Sequence, residues 1–537
     1  MTSASPVEDR ARLDDPDELL DARADPAAFE FGTSGSEAAS DLNWLALLTR
    51  RVQRRVEAGA HHRWWVLSGL LSGLFALNFT FTVFIVALPR VAHELGTSIT
   101  VLTWTMIGPL LSYGLAAPLF GKAGDVFGHR RLYMLGLAGA MVSAALTALA
   151  PSTGVLIFAR TLDGVQGAAT GTASMALIMS AFPPEERVTA MGWWSLVGAG
   201  GPVLGVSLGS PIIQYLGWRA LFWVQLALLV VAMSVVAVLL PRRNRSAEPA
   251  ARAEAVSAFK ATDWVGSWSL SLSVTALMLG LSLGHEIGFS SVGATICWVA
   301  TGTGVAVFVH RVRTAANPLI PPAYFARRNF TLPMVVRCAG NFAYFGAFFL
   351  APLVMELGYG FSITKVGLVS IARPLAFAIC SPIAGYAAVR IGERTTAVVG
   401  AASLCGSLVL FAALAPSTSL AVLVVALALS GLGMGVAMPA TSSMMANTVR
   451  ERDFGVMSAA QILAMQVGQV AGIQVLATIQ QGIMRNRGLT PSSEPAALLA
   501  TFRVPFIVGA AAAGVALAAA LLLREPRRAI AVAPATP

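Results

Sequence analysis

The chain has 537 residues, of which 56% are apolar and only 12% are charged, and its mean hydropathy is +0.71. This composition excludes a soluble globular domain and predicts an all-α polytopic membrane protein. The net charge of +10 indicates basic loops that face an anionic leaflet, not a nucleic-acid site, and four cysteines scattered through apolar segments predict neither a disulfide framework nor a metal site.

Residues 1–64 are predicted to form a cytoplasmic tail with two parts. Residues 1–41 hold eleven of the 27 acidic residues and few large apolar side chains, which is typical of disorder. Residues 41–65 carry leucines followed by Arg50, Arg51, Arg54 and Arg55, which favours either a basic amphipathic helix on the membrane or a basic leader that only sets topology. A secretory signal is not expected, because the first sixty residues are polar.

From residue 65 onward the chain divides into apolar runs, each near or above the ~20 residues that a spanning helix needs. We predict fourteen transmembrane helices, over 66–88, 101–120, 132–150, 154–181, 190–214, 219–240, 264–284, 292–311, 331–355, 362–388, 395–414, 420–446, 456–480 and 502–523. Lysine and arginine concentrate in alternate loops, so both termini are expected in the cytoplasm and the chain in the inner membrane.

An internal repeat organises these spans. The hexapeptide ALAPST at 148–153 recurs at 413–418, and Glu186-Arg187 recurs as Glu451-Arg452. The repeat predicts two parallel six-helix halves with a two-helix insert between them. The boundaries are an N-terminal half over 65–240, a cytoplasmic linker over 241–262, an insert with its own linker over 263–330, a C-terminal half over 331–525 and a cytoplasmic tail over 526–537.

Two opposite charges lie inside the fourth predicted span. Arg160 and Asp163 are three residues apart and therefore share a helix face. Charges at this depth are costly and normally face a bundle interior or a wet cavity. The pair is therefore either a structural ion pair or a proton or substrate relay.

The turn between the second and third spans carries an ordered motif, GKAGDVFGHRR, over residues 121–131. Its glycines allow a tight turn against a neighbouring helix end, and the aspartate can accept hydrogen bonds from helix-terminal amides or basic groups. With this motif the chain, over about 65–525, resembles the major facilitator superfamily, in its fourteen-helix drug:proton antiporter branch. The resemblance implies a gating loop that includes Gly121, Asp125, Gly128, Arg130 and Arg131.

Two further spans resemble the same branch but depart from it. Arg160 matches an arginine that the family implicates in proton transfer, and Asp163 replaces the glutamine that usually follows it. The fifth span resembles a glycine-rich antiporter signature, although generic helix packing explains its small residues equally well. The signature residues are Gly198, Gly201, Pro202, Gly205 and Gly209.

The first span lacks the acidic residue that the family pattern expects, because Thr80 stands at that position. A threonine does not titrate at any relevant pH. The coupling carboxylate is therefore expected at Asp163 or at Glu356, or the protein is not proton-coupled.

Polar and aromatic residues at comparable depth in several spans are candidates to line a central cavity. Such a cavity, with few fixed charges, suits large amphiphilic or cationic molecules. The alternative for each residue is packing or a helix–helix hydrogen bond. The candidates are Asn78, Thr80, Phe81, Trp104, Arg337, Asn341, Tyr344, Arg373 and Gln466.

The resemblance implies a monomeric secondary transporter, in contact with membrane lipids, that exports amphiphilic or cationic small molecules by alternating access with proton antiport. A transporter of an endogenous lipid or secondary metabolite without standard proton coupling is the second hypothesis, and a non-transporting membrane scaffold or sensor is the third. No nucleotide loop, metal cluster or nucleophile–base constellation is visible, so neither enzyme activity nor a cofactor is expected.

Overall fold

The computed structural model describes residues 62–80, 83–97, 99–102, 104–240, 263–490 and 493–525, and within these ranges all regular secondary structure is helical. The predicted tails lie almost wholly outside the described residues, as do the linker over 241–262 and Phe81.

The described part of the first half contains eight helices, because the first predicted span is divided and a short helix precedes the second. They are α1 (His62–Asn78), α2 (Val83–Glu94), α3 (Ile99–Leu102), α4 (Trp104–Phe127), α5 (His129–Ala148), α6 (Thr153–Ala181), α7 (Arg187–Leu216) and α8 (Trp218–Leu239). The insert follows, with α9 (Trp264–Ile287), α10 (Val292–Thr314) and the short α11 (Pro322–Phe325).

The second half repeats the order of the first. Its helices are α12 (Arg328–Leu353), which continues into a π-helical turn (Val354–Gly358), α13 (Ile363–Ser370), α14 (Ala372–Ile391), α15 (Glu393–Ala412), α16 (Leu420–Ala446), α17 (Phe454–Asn486) and α18 (Pro495–Leu521). The break between α13 and α14 divides the predicted span 362–388. Pro374 explains it, since this residue has no amide hydrogen to bond the carbonyl of Ser370.

Ten helical segments of the described chain are long and apolar enough to cross a membrane. They are α5, α8, α9, α10, α12 with its π-helical turn, α13 with α14, α15, α16, α17 and α18. Four other predicted spans are helical as well, as α1, α4, α6 and α7. The all-α membrane architecture is therefore confirmed, while the count of fourteen spans stays a prediction.

Both halves depend on glycines where helices cross. A Cβ on Gly164 of α6 would collide with the carbonyl oxygen of Pro109 in α4, and a Cβ on Gly431 of α16 would collide with that of Arg373 in α14. The two crossings occupy related places in the two halves. Small residues here bring the helix backbones into contact, as is common in membrane bundles.

The hydrophobic core differs between the two ends of the bundle, which we call the Asp125 end and the Arg90 end after a residue at each. At the Asp125 end a large cluster joins the halves, with Met179 and Phe182 of the first half and Met445 and Phe454 of the second, and a smaller one contains Val188 of the first half with residues of the second. At the Arg90 end the clusters are separate, one within each half. The halves are therefore packed together at the Asp125 end.

Candidate functional site

Asp125 joins the two halves. It lies near the end of α4, with a side chain that is 4% exposed. Its Oδ1 accepts a hydrogen bond from the amide of Gly455 at 2.7 Å, and its Oδ2 accepts one from the amide of Val456 at 3.0 Å. Both amides belong to the first turn of α17, where unpaired N–H groups and the helix dipole favour an anion. A carboxylate of the first half thus caps a helix of the second.

The surroundings of Asp125 fit this contact closely. The Nε2 atom of His129 lies 3.2 Å from its Oδ1. A Cβ on Gly121 would lie 2.6 Å from the carbonyl oxygen of Gly455, so glycine lets α4 approach α17. Gly128 has a φ of 93°, which favours glycine in the turn before α5. Burial raises the pKa of Asp125, although His129 and the two amides oppose that shift.

The two arginines of the motif lie away from this contact. Arg130 donates from Nε to the carbonyl of Leu240 at 3.0 Å and from Nη2 to that of Ala237 at 3.3 Å. It therefore satisfies carbonyl groups at the end of α8, as basic residues at helix C-termini do. Arg131 is exposed.

The related turn of the second half makes a different contact. Gly385 of α14 lies against α7, and its added Cβ would lie 2.9 Å from the Cα of Thr189. Val389 occupies the place of the aspartate and is 41% exposed. A bond between side chains crosses the halves nearby, from Arg187 Nη1 to Asn447 Oδ1 at 2.7 Å.

The charge pair of α6 lies inside the first half. Arg160 is 2% exposed and Asp163 is 19% exposed, and Nη1 of the arginine lies 2.8 Å from Oδ2 of the aspartate. Gln166 donates to the other oxygen of Asp163 at 2.6 Å. The guanidinium also lies over the rings of Phe84 and Phe222, at 5.3 and 5.8 Å. Both carboxylate oxygens are thus hydrogen-bonded, as a structural pair requires, while Asp163 keeps part of its surface exposed.

Glu356 belongs to the second half of the chain, whereas this pair belongs to the first. It belongs to the π-helical turn after α12, and its side chain is exposed. Thr80, at the position of the missing acid, is 1% exposed, and its hydroxyl has no partner among the described residues.

The glycines of α7 pack within the first half. An added Cβ on Gly201 would lie 3.1 Å from Cβ of Asn78, and one on Gly209 would lie 3.0 Å from a methyl of Val83. Gly205 lies against the carbonyl of Phe79, whereas Gly198 has no atom within 4 Å of its added Cβ. Pro202 lies within α7. These contacts hold α7 against α1 and α2.

Among the cavity candidates of the first half, Asn78 and Trp104 lie in different surroundings. Asn78 donates to the carbonyl of Leu74 in its own helix at 2.8 Å, while Trp104 is 37% exposed.

The cavity candidates of the second half are all buried, and they lie in two groups. Arg337 of α12 donates to the hydroxyl of Ser442 and to the carbonyl of Met438 in α16, and Asn341 donates to the carbonyl of Arg337 at 2.7 Å. Gln466 in α17 is 4% exposed.

Arg373 forms the second group, among aromatic rings. Its guanidinium lies over Tyr344, Phe348 and Phe411 at 5.3, 5.7 and 5.9 Å. Within the part of the chain that the structure describes, no carboxylate lies within 4.0 Å of Arg337 or Arg373. That these residues share a cavity stays a prediction.

A buried acid at the Asp125 end escaped sequence analysis. Glu393, the first residue of α15, is 8% exposed and accepts a hydrogen bond from Ser443 at 2.5 Å. Glu525 caps the same helix, because its carboxylate accepts from the amides of Glu393 and Arg394 at 2.8 and 3.1 Å. An acid immediately before an apolar run was the available signal.

Comparison with known proteins gives a consistent result. The family model described as Major Facilitator Superfamily matches residues 70–360 and 334–537. The chain is 27% identical to the multidrug resistance protein Stp of Mycobacterium tuberculosis over 76% of this chain and 74% of that protein. It is 29% identical to the multidrug efflux pump LfrA of Mycolicibacterium smegmatis over 81% and 85%, respectively. Its fold is similar to that of the proton:xylose symporter XylE, with a TM-score of 0.58 and 12% identity over 84% of this chain and 95% of that one.

Proposed function

The chain belongs to the major facilitator superfamily, and on that premise we propose that it exports drug-like amphiphilic or cationic small molecules by alternating access, coupled to proton antiport. It is a transporter and not an enzyme. The similarity to relatives named for multidrug resistance and efflux supports the drug-like substrate class. The Asp125 end would face the cytoplasm of a cell whose inner membrane holds the protein.

The observation that carries this proposal is the bond from Asp125 to the amides of Gly455 and Val456. It lies beside the hydrophobic cluster that joins the two halves at this end, while each half has its own core at the other end. Halves that are joined this way can rock about the centre of the bundle without breaking their own cores. The motif around Asp125 would then act as a gate latch.

Asp163 is our candidate for the proton-carrying group. Its carboxylate is held by Arg160 and Gln166 at 2.8 and 2.6 Å. Protonation would weaken the ion pair and leave the guanidinium against the rings of Phe84 and Phe222. That change of charge inside the first half would shift the equilibrium between the state open at the Asp125 end and the state open at the Arg90 end.

Thr80 favours a second candidate function. Its buried hydroxyl replaces the acid of the family pattern and cannot carry a proton into the cavity. A transporter of an endogenous lipid or secondary metabolite, without standard proton coupling, would tolerate this replacement.

The test is to reconstitute the protein in liposomes, to impose a pH gradient, and to follow ethidium together with internal pH. Coupled movement of dye and protons in the wild type, lost in D163N, is the expected result. The matched control is E94Q, which neutralises an exposed acid paired with Arg219 and should transport normally.

Dye flux that ignores the gradient would support the Thr80 alternative, and proton-driven flux in D163N would exclude Asp163 as the carrier. If neither dye nor protons move, a dedicated substrate or a non-transporting role becomes the better explanation.

A further inference from the structure

A polar pocket of about 500 Å³ lies at the Asp125 end of the second half. Three segments that are distant in sequence form it: residues 326–329 before and within the start of α12, residues 447–448 after α16, and Arg524 after α18. Apart from Asn447, which accepts the hydrogen bond from Arg187, none of these residues takes part in the contacts described above.

Hydrogen bonds between the segments give the pocket a fixed frame. The side chain of Asn329 donates to the carbonyl of Arg524 at 2.7 Å and accepts from its amide at 3.0 Å. Arg327 donates from Nη1 to the carbonyl of Thr448, whose hydroxyl donates to the carbonyl of Asn329 at 3.4 Å. The frame uses only backbone atoms of Arg524, so its guanidinium is not needed to hold the segments together.

The pocket has a strong positive charge. Arg327, Arg328 and Arg524 line it, and along the described chain no carboxylate lies within 4.0 Å of these guanidinium groups. The nearby Glu525 is bound to the first amides of α15 instead. The start of α12, which has no side-chain cap, adds the partial positive charge of a helix N-terminus. Such a group of arginines suits a phosphate.

Apolar side chains lie beside this charge. The pocket lies where the apolar helix α12 begins and α18 ends, at the expected level of the membrane surface. Phe325, Leu521 and Leu522 are 38%, 49% and 59% exposed. A ligand with a phosphate and an alkyl chain would satisfy both surfaces at once.

We propose that this pocket binds the phosphate headgroup of an anionic phospholipid, with the acyl chains along the exposed residues at the end of α18. A free phosphate shares the headgroup chemistry but leaves the apolar side chains exposed to water. The occupied pocket would connect α12, α18 and the connection between α16 and α17, which leads directly to the amides that Asp125 caps.

The test is native mass spectrometry of the full-length protein in detergent, titrated with phosphatidylglycerol, with phosphatidylcholine and with inorganic phosphate. The double variant R328Q/R524Q should bind phosphatidylglycerol about thirtyfold more weakly, given the usual contribution of each basic residue near an anionic surface. The variant R328K/R524K keeps the charge and should retain most of the binding. The matched control R485Q/R487Q removes two exposed arginines at the Arg90 end and should bind normally.

Four outcomes would overturn the proposal: equal binding of phosphatidylcholine, an equal loss in the control variant, unchanged binding in R328Q/R524Q, or displacement of the lipid by inorganic phosphate at equal concentration. The last would indicate a site for a free anion. Because lipid binding is measured without transport, its failure is distinct from a failure of the proposed export function.

Discussion

The two halves meet at the Asp125 end through related turns, one between α4 and α5 and the other between α14 and α15. Each turn places a glycine against a helix of the opposite half, Gly121 on α17 and Gly385 on α7. In the first half a buried carboxylate adds a charged cap to the glycine contact, whereas Val389 leaves the second without one. Internal symmetry has thus kept the glycine packing in both halves but the buried carboxylate in only one. If this end is the proposed gate, we expect the turn with Asp125 to hold it closed more tightly than the turn with Val389.

Closure of this end can be followed by one measurement in all the variants below. Spin labels at Lys122 and at Arg452, which is 72% exposed, would report the distance between the halves in a chain whose four cysteines are replaced. The fraction of molecules at the short distance then measures the closed state.

The largest effect is expected from G455A. Its Cβ would collide with the carbonyl of Gly121 and lie 2.7 Å from Oδ1 of Asp125. Overpacking of this kind costs about 1–3 kcal/mol, so the closed-to-open ratio should fall by about five- to hundredfold. The counterpart G385A, with contacts at 2.9 and 3.0 Å to Thr189 and Val188, should have a smaller effect. Equal effects would mean that the two glycine contacts are equally tight.

A smaller effect is expected from D125A, which removes the cap of α17. Loss of a capping carboxylate costs about 1 kcal/mol, or about fivefold in the same ratio. V389A in the second half should leave the ratio unchanged because this exposed side chain caps no helix. If D125A closed as well as the wild type, the charged cap would contribute nothing and the proposed latch would be wrong.

A still smaller effect is expected from R187Q, which breaks the bond to Asn447. The variant also removes the guanidinium from the ring of Phe454, 5.1 Å away in the second half. Because water and the glutamine partly replace both contacts, the ratio should change by about threefold. The control R63Q removes an exposed ion pair with Glu186 inside the first half and should change nothing. If the closed-to-open ratio fell further in R187Q than in D125A, the contact of Arg187 with Asn447 would contribute more to closure than the cap by Asp125, which contradicts our ranking.

The smallest effect concerns pH. Burial in the closed state raises the pKa of Asp125, whereas a solvated Asp125 in an opened end would keep its ordinary value. The closed state therefore binds the proton more tightly, and closure should be strongest below the ordinary pKa and weaken as pH rises through the raised one. The label distance, measured from below the ordinary pKa of an aspartate to above the raised one, should no longer depend on pH in D125N. The variant H129Q tests whether the neighbouring imidazole causes the dependence instead. A closed fraction that rises with pH would contradict this sign.

Much of the helical framework was predictable, because each spanning helix needs its own apolar run. The predicted spans 154–181 and 420–446 agree with Thr153–Ala181 and Leu420–Ala446. Hydropathy did not predict the break between α13 and α14 within the span 362–388, since it does not register the backbone hydrogen bond that is missing at Pro374.

The site was less predictable than the helices. The motif indicated that Asp125 would accept from a helix end, but Gly455 lies 330 residues away and only tertiary packing selects it. The surroundings of polar residues within an apolar run were also not predictable from the sequence. Nothing in the pattern distinguished a cavity for Arg373 from the aromatic surroundings in which the guanidinium lies.

The position of the insert has a consequence for how the protein is made. α9 contacts both α4 and α17: Met278 packs at Gly114, and Ser282 accepts a hydrogen bond from Gln474 at 3.1 Å. Because a ribosome delivers α9 before any helix of the second half, α9 can dock on α4 first and offer α17 a ready surface. The insert is thus expected to guide assembly of the second half during biogenesis, leaving α10, with only Ala294 and Cys297 buried among its described residues, facing lipid.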